Sequence, residues 1–184
     1  MRPSSDFDLN PDVVLPDGRK LRPAGVLVPI RFEPQPVLIL TKRSSVLKHH
    51  PGQIAFPGGK QDEGDADVEA AALREAHEEI GLNPGNVEVM GQFPAHETVT
   101  GFQVTPVLGR VRAAFDPVPE AGEVAEVFEV PLSHVMDLAR YRVEYRRWRG
   151  ARRQYYVVPF GPYYVWGATA RMLRQLAEAV RDAD

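Results

Sequence analysis

The stretch "GGKQDEGDADVEAAALREAHEEIGL", residues 58–82, places two adjacent glycines ahead of a helical pattern that is crowded with acids. At about 100° per residue, Glu75 and Glu79 lie one turn apart on one face of the helix, and Glu78 lies on its flank. Gly81 stands where a left-handed residue would end the helix. The stretch therefore predicts a helix with three carboxylates on one face. For the acids taken alone, a solvated acidic surface is the alternative.

Apolar residues anchor this predicted helix. Leu73, Ala76 and Ile80 fall on the side opposite the carboxylates, where they can pack against a core. Asp65 or Asp67 can accept hydrogen bonds from the free N–H groups of the first turn, so the helix is expected to begin near one of them.

The acidic face is suited to a divalent metal ion. Three neighbouring carboxylates repel one another, and burial would raise their pKa values unless a cation neutralises them. The chain has no cysteine, and oxygen ligands without thiolates or paired histidines favour hard ions. The pattern predicts Mg²⁺, with Mn²⁺ as a common substitute. Such an ion binds diphosphate oxygens and offsets charge that develops on a leaving group.

The glycines and the helix together resemble the Nudix box, in which a glycine loop precedes an Arg-Glu-apolar-X-Glu-Glu-X-Gly-apolar helix. The matching positions are Arg74, Glu75, Glu78, Glu79, Gly81 and Leu82. The loop is one residue longer than in the general box. Asp65, Asp67 or Glu69 could therefore supply the acid that the box places before the helix.

The resemblance implies a Nudix fold and hydrolysis of a nucleoside diphosphate linked to another group. It implies that Glu75 and Glu79 are the first metal ligands, and that Glu78 is a further ligand or orients the attacking water. Arg74, one turn before Glu78, can orient that carboxylate. A general base from another loop stays open. The candidates near a predicted strand edge are Glu120, Glu123 and Glu126.

The preceding stretch, "ILTKRSSVLKHHPGQIAFPGG" at 39–59, resembles the signature of coenzyme A pyrophosphatases. We call this stretch the signature loop. Lys48 stands where that pattern usually has arginine, which keeps the charge but loses the bidentate fork. The substrate-binding residues that the resemblance implies are Arg43, Ser44, Lys48, His50, Phe56, Gly58 and Gly59.

The implied reaction splits coenzyme A, or its derivatives, into 3′,5′-ADP and the corresponding phosphopantetheine. A Nudix hydrolase of another diphosphate is the alternative, with a nucleotide sugar, a dinucleotide or a damaged nucleoside triphosphate as substrate. A third possibility is a nucleotide-sensing module on the same fold, although a sensor has no need to keep the three glutamates.

A second basic region, "RYRVEYRRWRGARRQ" at 140–154, predicts a hairpin. It could bind the 3′-phosphate, or nucleic acid with Tyr145 and Trp148 as stacking platforms. Arginine is also common on exposed strand edges. We favour an exposed face and expect no nucleic-acid partner, because one basic hairpin is a small electrostatic footprint.

The remaining chain predicts one α/β (α+β) domain, in which a mixed sheet is sandwiched between helices. The predicted strands cover 24–32, 36–43, 86–93, 100–113 and 124–130. A short helix is expected within 131–140 and an amphipathic helix over 165–183. We expect a single domain over 1–184 with an N-terminal arm at 1–22.

Composition limits the other function classes. The chain has 184 residues, which suits one domain, and its net charge of −3 gives no general attraction to nucleic acid or membranes. Its apolar runs are too short to span a bilayer, and its N-terminus lacks an apolar signal core. A cytoplasmic enzyme with a small-molecule substrate is therefore expected. The sequence leaves the oligomeric state open, and a homodimer is one state that it allows.

Overall fold

The computed structural model describes residues 2–15, 18–148 and 150–183. In these ranges nine strands form one mixed sheet, and two further strands form a separate hairpin. The sheet strands are β1 Ser4–Ser5, β2 Arg22–Arg31, β3 Val37–Arg43, β4 Ile54–Ala55, β5 Gly58–Lys60, β6 Val87–Gln92, β7 His96–Glu97, β8 Phe102–Val111 and β9 Val124–Pro131. The hairpin strands are β10 Arg142–Trp148 and β11 Ala151–Val157, and the helices are α1 Val68–Ile80, α2 Leu132–Met136 and α3 Gly167–Arg181.

The long strands form the centre of the sheet. β2 pairs in parallel with β8 along its whole length, and β3 pairs antiparallel with both β2 and β9. The short strand β5 pairs antiparallel with the start of β2, so that Gly58 lies opposite Val26 and Gly59 opposite Gly25. This pairing fixes the two glycines beside the helix that follows them.

Alternate side chains of the central strands pack into two hydrophobic cores. Leu27 and Ile39 belong to the core that includes Ala76 of α1. Val28 and the neighbours of Ile39 in β3 belong to the core that includes Leu173 of α3. Because successive side chains of a strand point to opposite faces, α1 and α3 cover opposite faces of the sheet. The predicted sheet between helices is therefore confirmed.

Local chemistry explains the ends of α1. The Asp67 carboxylate accepts a hydrogen bond of 2.8 Å from the Ala70 N–H. Gly81 has a φ of 71° and its N–H donates to the His77 carbonyl at 2.9 Å. The predicted helix and its glycine end are confirmed, and Asp67 is the residue that caps its start.

The structure differs from the sequence prediction in two connections. The short helix predicted within 131–140 ends at Met136, and a 3₁₀ turn over Leu138–Arg140 follows it. Asp137 separates the two pieces because its extended backbone interrupts the helix and its side chain accepts from the Ala139 N–H at 3.0 Å. The segment from Gly58 to Lys60 is not among the predicted strands, yet it forms β5.

The N-terminal segment packs against the sheet and α3. The sequence predicted an arm or loop there, and the structure places the short strand β1 in it, paired in parallel with β7. The Asp8 carboxylate accepts from Arg171 of α3 at 2.8 Å. None of the helices in the described ranges is long and apolar enough to cross a membrane.

Candidate active site

The two glycines lie directly on the acidic face of α1. A Cβ atom added to Gly59 would come within 2.5 Å of the Glu75 carboxylate, so a larger residue there would displace that carboxylate from its position. The Gly58 N–H donates a hydrogen bond of 3.1 Å to the Glu79 carboxylate. The strand pairing of β5 and the helical spacing of the two acids thus bring loop and carboxylates together.

Glu79 is a buried acid whose charge is only partly compensated. The residue is 4% exposed, and burial raises its pKa from 4.5 to about 7. The hydrogen bond from Gly58 opposes this rise, repulsion from Glu75 adds to it, and the Arg43 charge opposes it. Burial also raises the pKa of Glu75, against the pull of Arg74. The two carboxylates therefore form a site that favours a cation.

Arg74 organises the rim of this site. Its guanidinium donates to both Asp65 carboxylate oxygens at 2.9 Å. The same side chain donates to Glu75 at 3.0 Å and to Glu78 at 2.9 Å. The paired bonds from Arg74 hold the pKa of Asp65 below its ordinary value.

The position of Asp65 answers a question that the sequence left open. Asp65 is the acid that Arg74 holds in the lengthened loop, whereas Asp67 caps α1. Glu69 accepts a hydrogen bond of 3.2 Å from Gln92 on β6. One of the three candidate acids therefore anchors the loop, and the other two have different partners.

The geometry suits a metal ion that is held only in part by the protein. Within the described ranges, no three His, Asp or Glu side chains converge on one potential metal position. Glu75 and Glu79 lie one turn apart, whereas the Glu78 carboxylate is bound by Arg74 and its side chain is 56% exposed. Mg²⁺ commonly uses one or two carboxylates and fills its remaining positions with water and substrate phosphates. Glu75 and Glu79 fit that requirement.

The three candidate bases have different surroundings. Glu123 is exposed, and its charge adds to the rise in the pKa of both Glu75 and Glu79. Glu126 instead accepts a hydrogen bond from the Tyr163 hydroxyl. The Glu120 N–H donates to the Glu79 carbonyl at 2.9 Å, which ties the loop before β9 to the end of α1.

The signature loop reaches the same site along β3. Ser44 is buried, and its N–H donates to the Glu123 carbonyl at 2.8 Å. The Arg43 N–H donates to the Gln53 carbonyl at 2.9 Å, and its charge lowers the pKa of both Glu79 and His50. Lys48 is exposed.

Phe56 was predicted to bind substrate, but the structure gives it a packing role. Its ring is 4% exposed and belongs to the core shared with α3. Strand β4 ends at Ala55, one residue before Phe56, and its Ile54 belongs to the same core.

A cavity of about 340 Å³ lies between the signature loop, the hairpin and the segment before α3. We call it the hairpin cavity. Its lining includes Lys42, His50, Arg146, Tyr163, Tyr164 and Trp166. Arg146 belongs to the basic region at 140–154, for which a contact to the 3′-phosphate was the less favoured alternative, and Trp166 had no predicted role. Strand alternation could have separated Arg146 from its neighbours in the hairpin.

The other face of the hairpin agrees with the exposed face that we favoured. The Tyr145 side chain is 60% exposed, and the Arg152 guanidinium lies 3.5 Å from the centre of its ring. The side chain of Trp148, the second proposed stacking platform, lies outside the described residues.

Comparisons with known proteins agree with this geometry. The NUDIX domain family model matches residues 21–151. A protein named "Uncharacterized Nudix hydrolase NudL" from Enterobacter sp. (strain 638) is 47% identical over 156 residues, which cover 85% of this chain and 81% of that protein. The protein of the same name from Pectobacterium atrosepticum is 44% identical over 161 residues, covering 88% and 84%.

Two solved structures share the fold. The Nudix hydrolase RenU from M. smegmatis superposes with a TM-score of 0.58 at 21% identity, over 90% of this chain and 88% of that one. The NUDIX domain of Shewanella oneidensis NrtR, solved with ADP ribose, gives a TM-score of 0.55 at 17% identity and covers 94% of each chain. With the family model matched across the glycine loop, the acidic helix and most of the sheet, the chain belongs to the Nudix family.

Proposed function

We propose that this protein hydrolyses the diphosphate bond of coenzyme A and its derivatives, giving 3′,5′-ADP and 4′-phosphopantetheine. Mg²⁺ is the proposed cofactor, with Mn²⁺ as a substitute. The substrate is a small molecule, and neither nucleic acid nor a membrane takes part. A cytoplasmic location stays a prediction from the sequence.

The contact of Glu75 and Glu79 with the Gly58–Gly59 loop is the observation that carries the hydrolase proposal. Two desolvated carboxylates one turn apart are costly without a cation, and a bound Mg²⁺ would supply charge neutralisation for a diphosphate and its leaving group. Arg74 keeps Glu75 and Glu78 in position through hydrogen bonds of 3.0 and 2.9 Å. Glu123 is the proposed base, because its carbonyl accepts from the Ser44 N–H of the signature loop at 2.8 Å and its charge acts on both metal-binding acids.

The resemblance of the signature loop supports coenzyme A within the wider class of nucleoside diphosphate derivatives. Coenzyme A carries a ribose 3′-phosphate besides its diphosphate, so its enzyme must accommodate additional negative charge. Arg43, Lys48 and the histidines of the signature loop provide a basic surface in a chain whose net charge is −3. Arg43 is the proposed contact to the diphosphate, since its charge reaches the buried Glu79.

A panel of diphosphates tests the substrate. The protein is incubated with Mg²⁺ and coenzyme A, a nucleotide sugar, a dinucleotide or an oxidised nucleoside triphosphate, and the products are identified by mass. We expect the highest kcat/KM for coenzyme A, with 3′,5′-ADP and 4′-phosphopantetheine as products. A higher kcat/KM for another diphosphate would replace the coenzyme A proposal, and no turnover of any compound would favour a nucleotide sensor.

The Glu79→Gln variant tests the metal-binding role on the best substrate of that panel. Glutamine keeps the shape of the side chain and an acceptor for the Gly58 N–H but removes the charge. We expect kcat/KM to fall by more than about 100-fold, since even the outer partners of metal ligands are worth 10- to 100-fold. The exposed Glu88→Gln on β6 is the matched control. Near-normal turnover by Glu79→Gln at saturating Mg²⁺ would contradict the role.

A further inference from the structure

The hairpin cavity has the chemistry of a site for a phosphorylated aromatic group. Lys42, His50 and Arg146 contribute cationic or titratable nitrogens to its lining. Tyr163, Tyr164 and Trp166 contribute aromatic surface. Cationic nitrogens bind phosphate oxygens through charge-assisted hydrogen bonds, and aromatic rings stack on nucleobases.

Arg146 is held in place for such a role. Its guanidinium lies 4.3 Å from the centre of the Trp166 ring, and the Tyr155 ring packs edge-on against Trp166 at 5.1 Å. A guanidinium stacked on an aromatic face keeps its N–H groups available in the plane of the fork. Because this stacking already orders the side chain, ligand binding would cost less conformational entropy.

The cations of the cavity also lack intramolecular counterions in the described part of the chain. There, no carboxylate lies within 4.0 Å of the charged nitrogens of Lys42 or Arg146. By contrast, Arg171 of α3 pairs with Asp8 at 2.8 Å. An exogenous anion would therefore meet Lys42 and Arg146 without first breaking an ion pair.

Two nearby acids accept hydrogen bonds from tyrosines of the cavity lining. The Tyr163 hydroxyl donates to Glu126, and the Tyr164 hydroxyl donates to Glu144 at 2.7 Å. Neither glutamate belongs to the lining. Burial lowers the pKa of His50, and the charges of Arg43, His49 and Arg146 lower it further, so this lining histidine lies among other basic groups.

We infer that the hairpin cavity binds the phosphorylated ribose end of the substrate, with Arg146 as the main ligand of the 3′-phosphate. This inference rests on the proposed function. It places the extra phosphate between β3 and the hairpin, whereas the exposed Lys48 has no part in the cavity. Arg43 lies beside the cavity, because its N–H donates to the carbonyl of the lining residue Gln53 at 2.9 Å, and its charge also acts on Glu79. The diphosphate lies at the acidic helix, and the adenosine phosphate lies in the cavity.

The experiment compares ligands with and without the 3′-phosphate in matched variants. Binding of 3′,5′-ADP and of adenosine 5′-monophosphate is measured by calorimetry, and KM is measured for coenzyme A and dephospho-coenzyme A. Arg146→Ala removes the proposed ligand, and Arg146→Lys keeps the charge without the fork. Arg147→Ala is the control, since Arg147 is exposed, carries the same charge and points to the opposite face of β10.

We expect the parent protein and Arg147→Ala to bind 3′,5′-ADP about 10-fold or more tightly than the monophosphate, as one charge-assisted contact provides. In Arg146→Ala this preference should disappear, and the KM for coenzyme A should approach that for dephospho-coenzyme A. Arg146→Lys should fall between the two. A preference that survives in both Arg146 variants, or that is lost equally in Arg147→Ala, would overturn the inference.

The two proposals fail in different ways. Absence of coenzyme A hydrolysis, together with an Arg146-dependent preference for 3′,5′-ADP, would reject the proposed function and leave the cavity assignment standing. Hydrolysis of coenzyme A without any preference for the 3′-phosphate would reject the cavity assignment alone.

Discussion

At the scale of single residues, Glu79 combines a functional advantage with a cost in stability. Its carboxylate is buried between α1 and the glycine loop, and only the Gly58 N–H hydrogen-bonds to it in the described residues. An acid whose pKa is raised in the folded protein binds its proton more tightly there than in the unfolded chain. Ionisation of Glu79 therefore opposes folding, and a cation at Glu75 and Glu79 would relieve this opposition.

The pH dependence of stability follows from the direction of this shift. Below pH 4.5 Glu79 is protonated in both states and its favourable contribution is fully present; it is lost as the pH rises through the folded pKa of about 7. The shift corresponds to about 3 kcal/mol. In EDTA, the free energy of unfolding of the parent should thus fall by about that amount, relative to Glu79→Gln, between pH 5 and pH 8. Denaturant titrations measure it, with Glu88→Gln as control. Identical pH profiles of the parent and Glu79→Gln would refute the expectation.

At the scale of elements, the junction of the glycine loop and α1 gives different hydrogen-bond partners to two acids that the sequence could not distinguish. Asp65 and Asp67 are chemically alike and two residues apart. The helical pattern predicted where α1 runs, because its periodicity is local. The partner of each acid depends on how the lengthened loop folds back over Arg74. Helical periodicity does not predict such a contact, because the contact joins the loop to the helix.

Two substitutions should separate the roles of these acids. Asp65→Asn removes the charge that holds Arg74, and we expect kcat/KM to fall by about 10- to 100-fold, as for other groups that position metal ligands. Asp67→Ala removes the helix cap and should lower the free energy of unfolding by about 1 kcal/mol, with kcat/KM within a few-fold of the parent. Steady-state kinetics and denaturant titrations on both variants provide the comparison. A larger loss of turnover in Asp67→Ala than in Asp65→Asn would reverse the assignment.

At the scale of the whole molecule, the sequence predicted what depends on local pattern and missed what depends on distant pairing. The long strands, α1, α3 and the hairpin were predicted because each has a local mark: an apolar, β-branched run, a helical periodicity or a turn between two strand-like runs. The parallel pairing of β1 with β7 joins residues 92 positions apart, and β1 has only two residues to carry a pattern. The hairpin cavity is likewise formed by three segments that are remote in the sequence.

The N-terminal segment is joined to the region around β7 by a network of buried and partly buried hydrogen bonds. His96 is fully buried, and its ring nitrogens contact the Ser4 hydroxyl at 2.9 Å and the Asp6 carboxylate at 3.1 Å. The other oxygen of Asp6 accepts from the Val99 N–H at 2.8 Å. Loss of the Asp6 carboxylate would leave one nitrogen of a buried imidazole without a partner, which costs about 1–3 kcal/mol.

Asp6→Ala should therefore lower the free energy of unfolding by about 1–3 kcal/mol, whereas the exposed Asp12→Ala should change it by less than about 0.5 kcal/mol. Hydrogen exchange gives a second readout that a general loss of stability would not produce. The Ser4 and Asp6 amides donate to the carbonyls of Ala95 and Glu97 at 3.1 and 2.9 Å. Their protection should fall in Asp6→Ala while that of the central strands β2 and β8 is retained, because the segment can open without the sheet. Equal protection of these two amides in the parent and Asp6→Ala would show that strand pairing alone holds the segment.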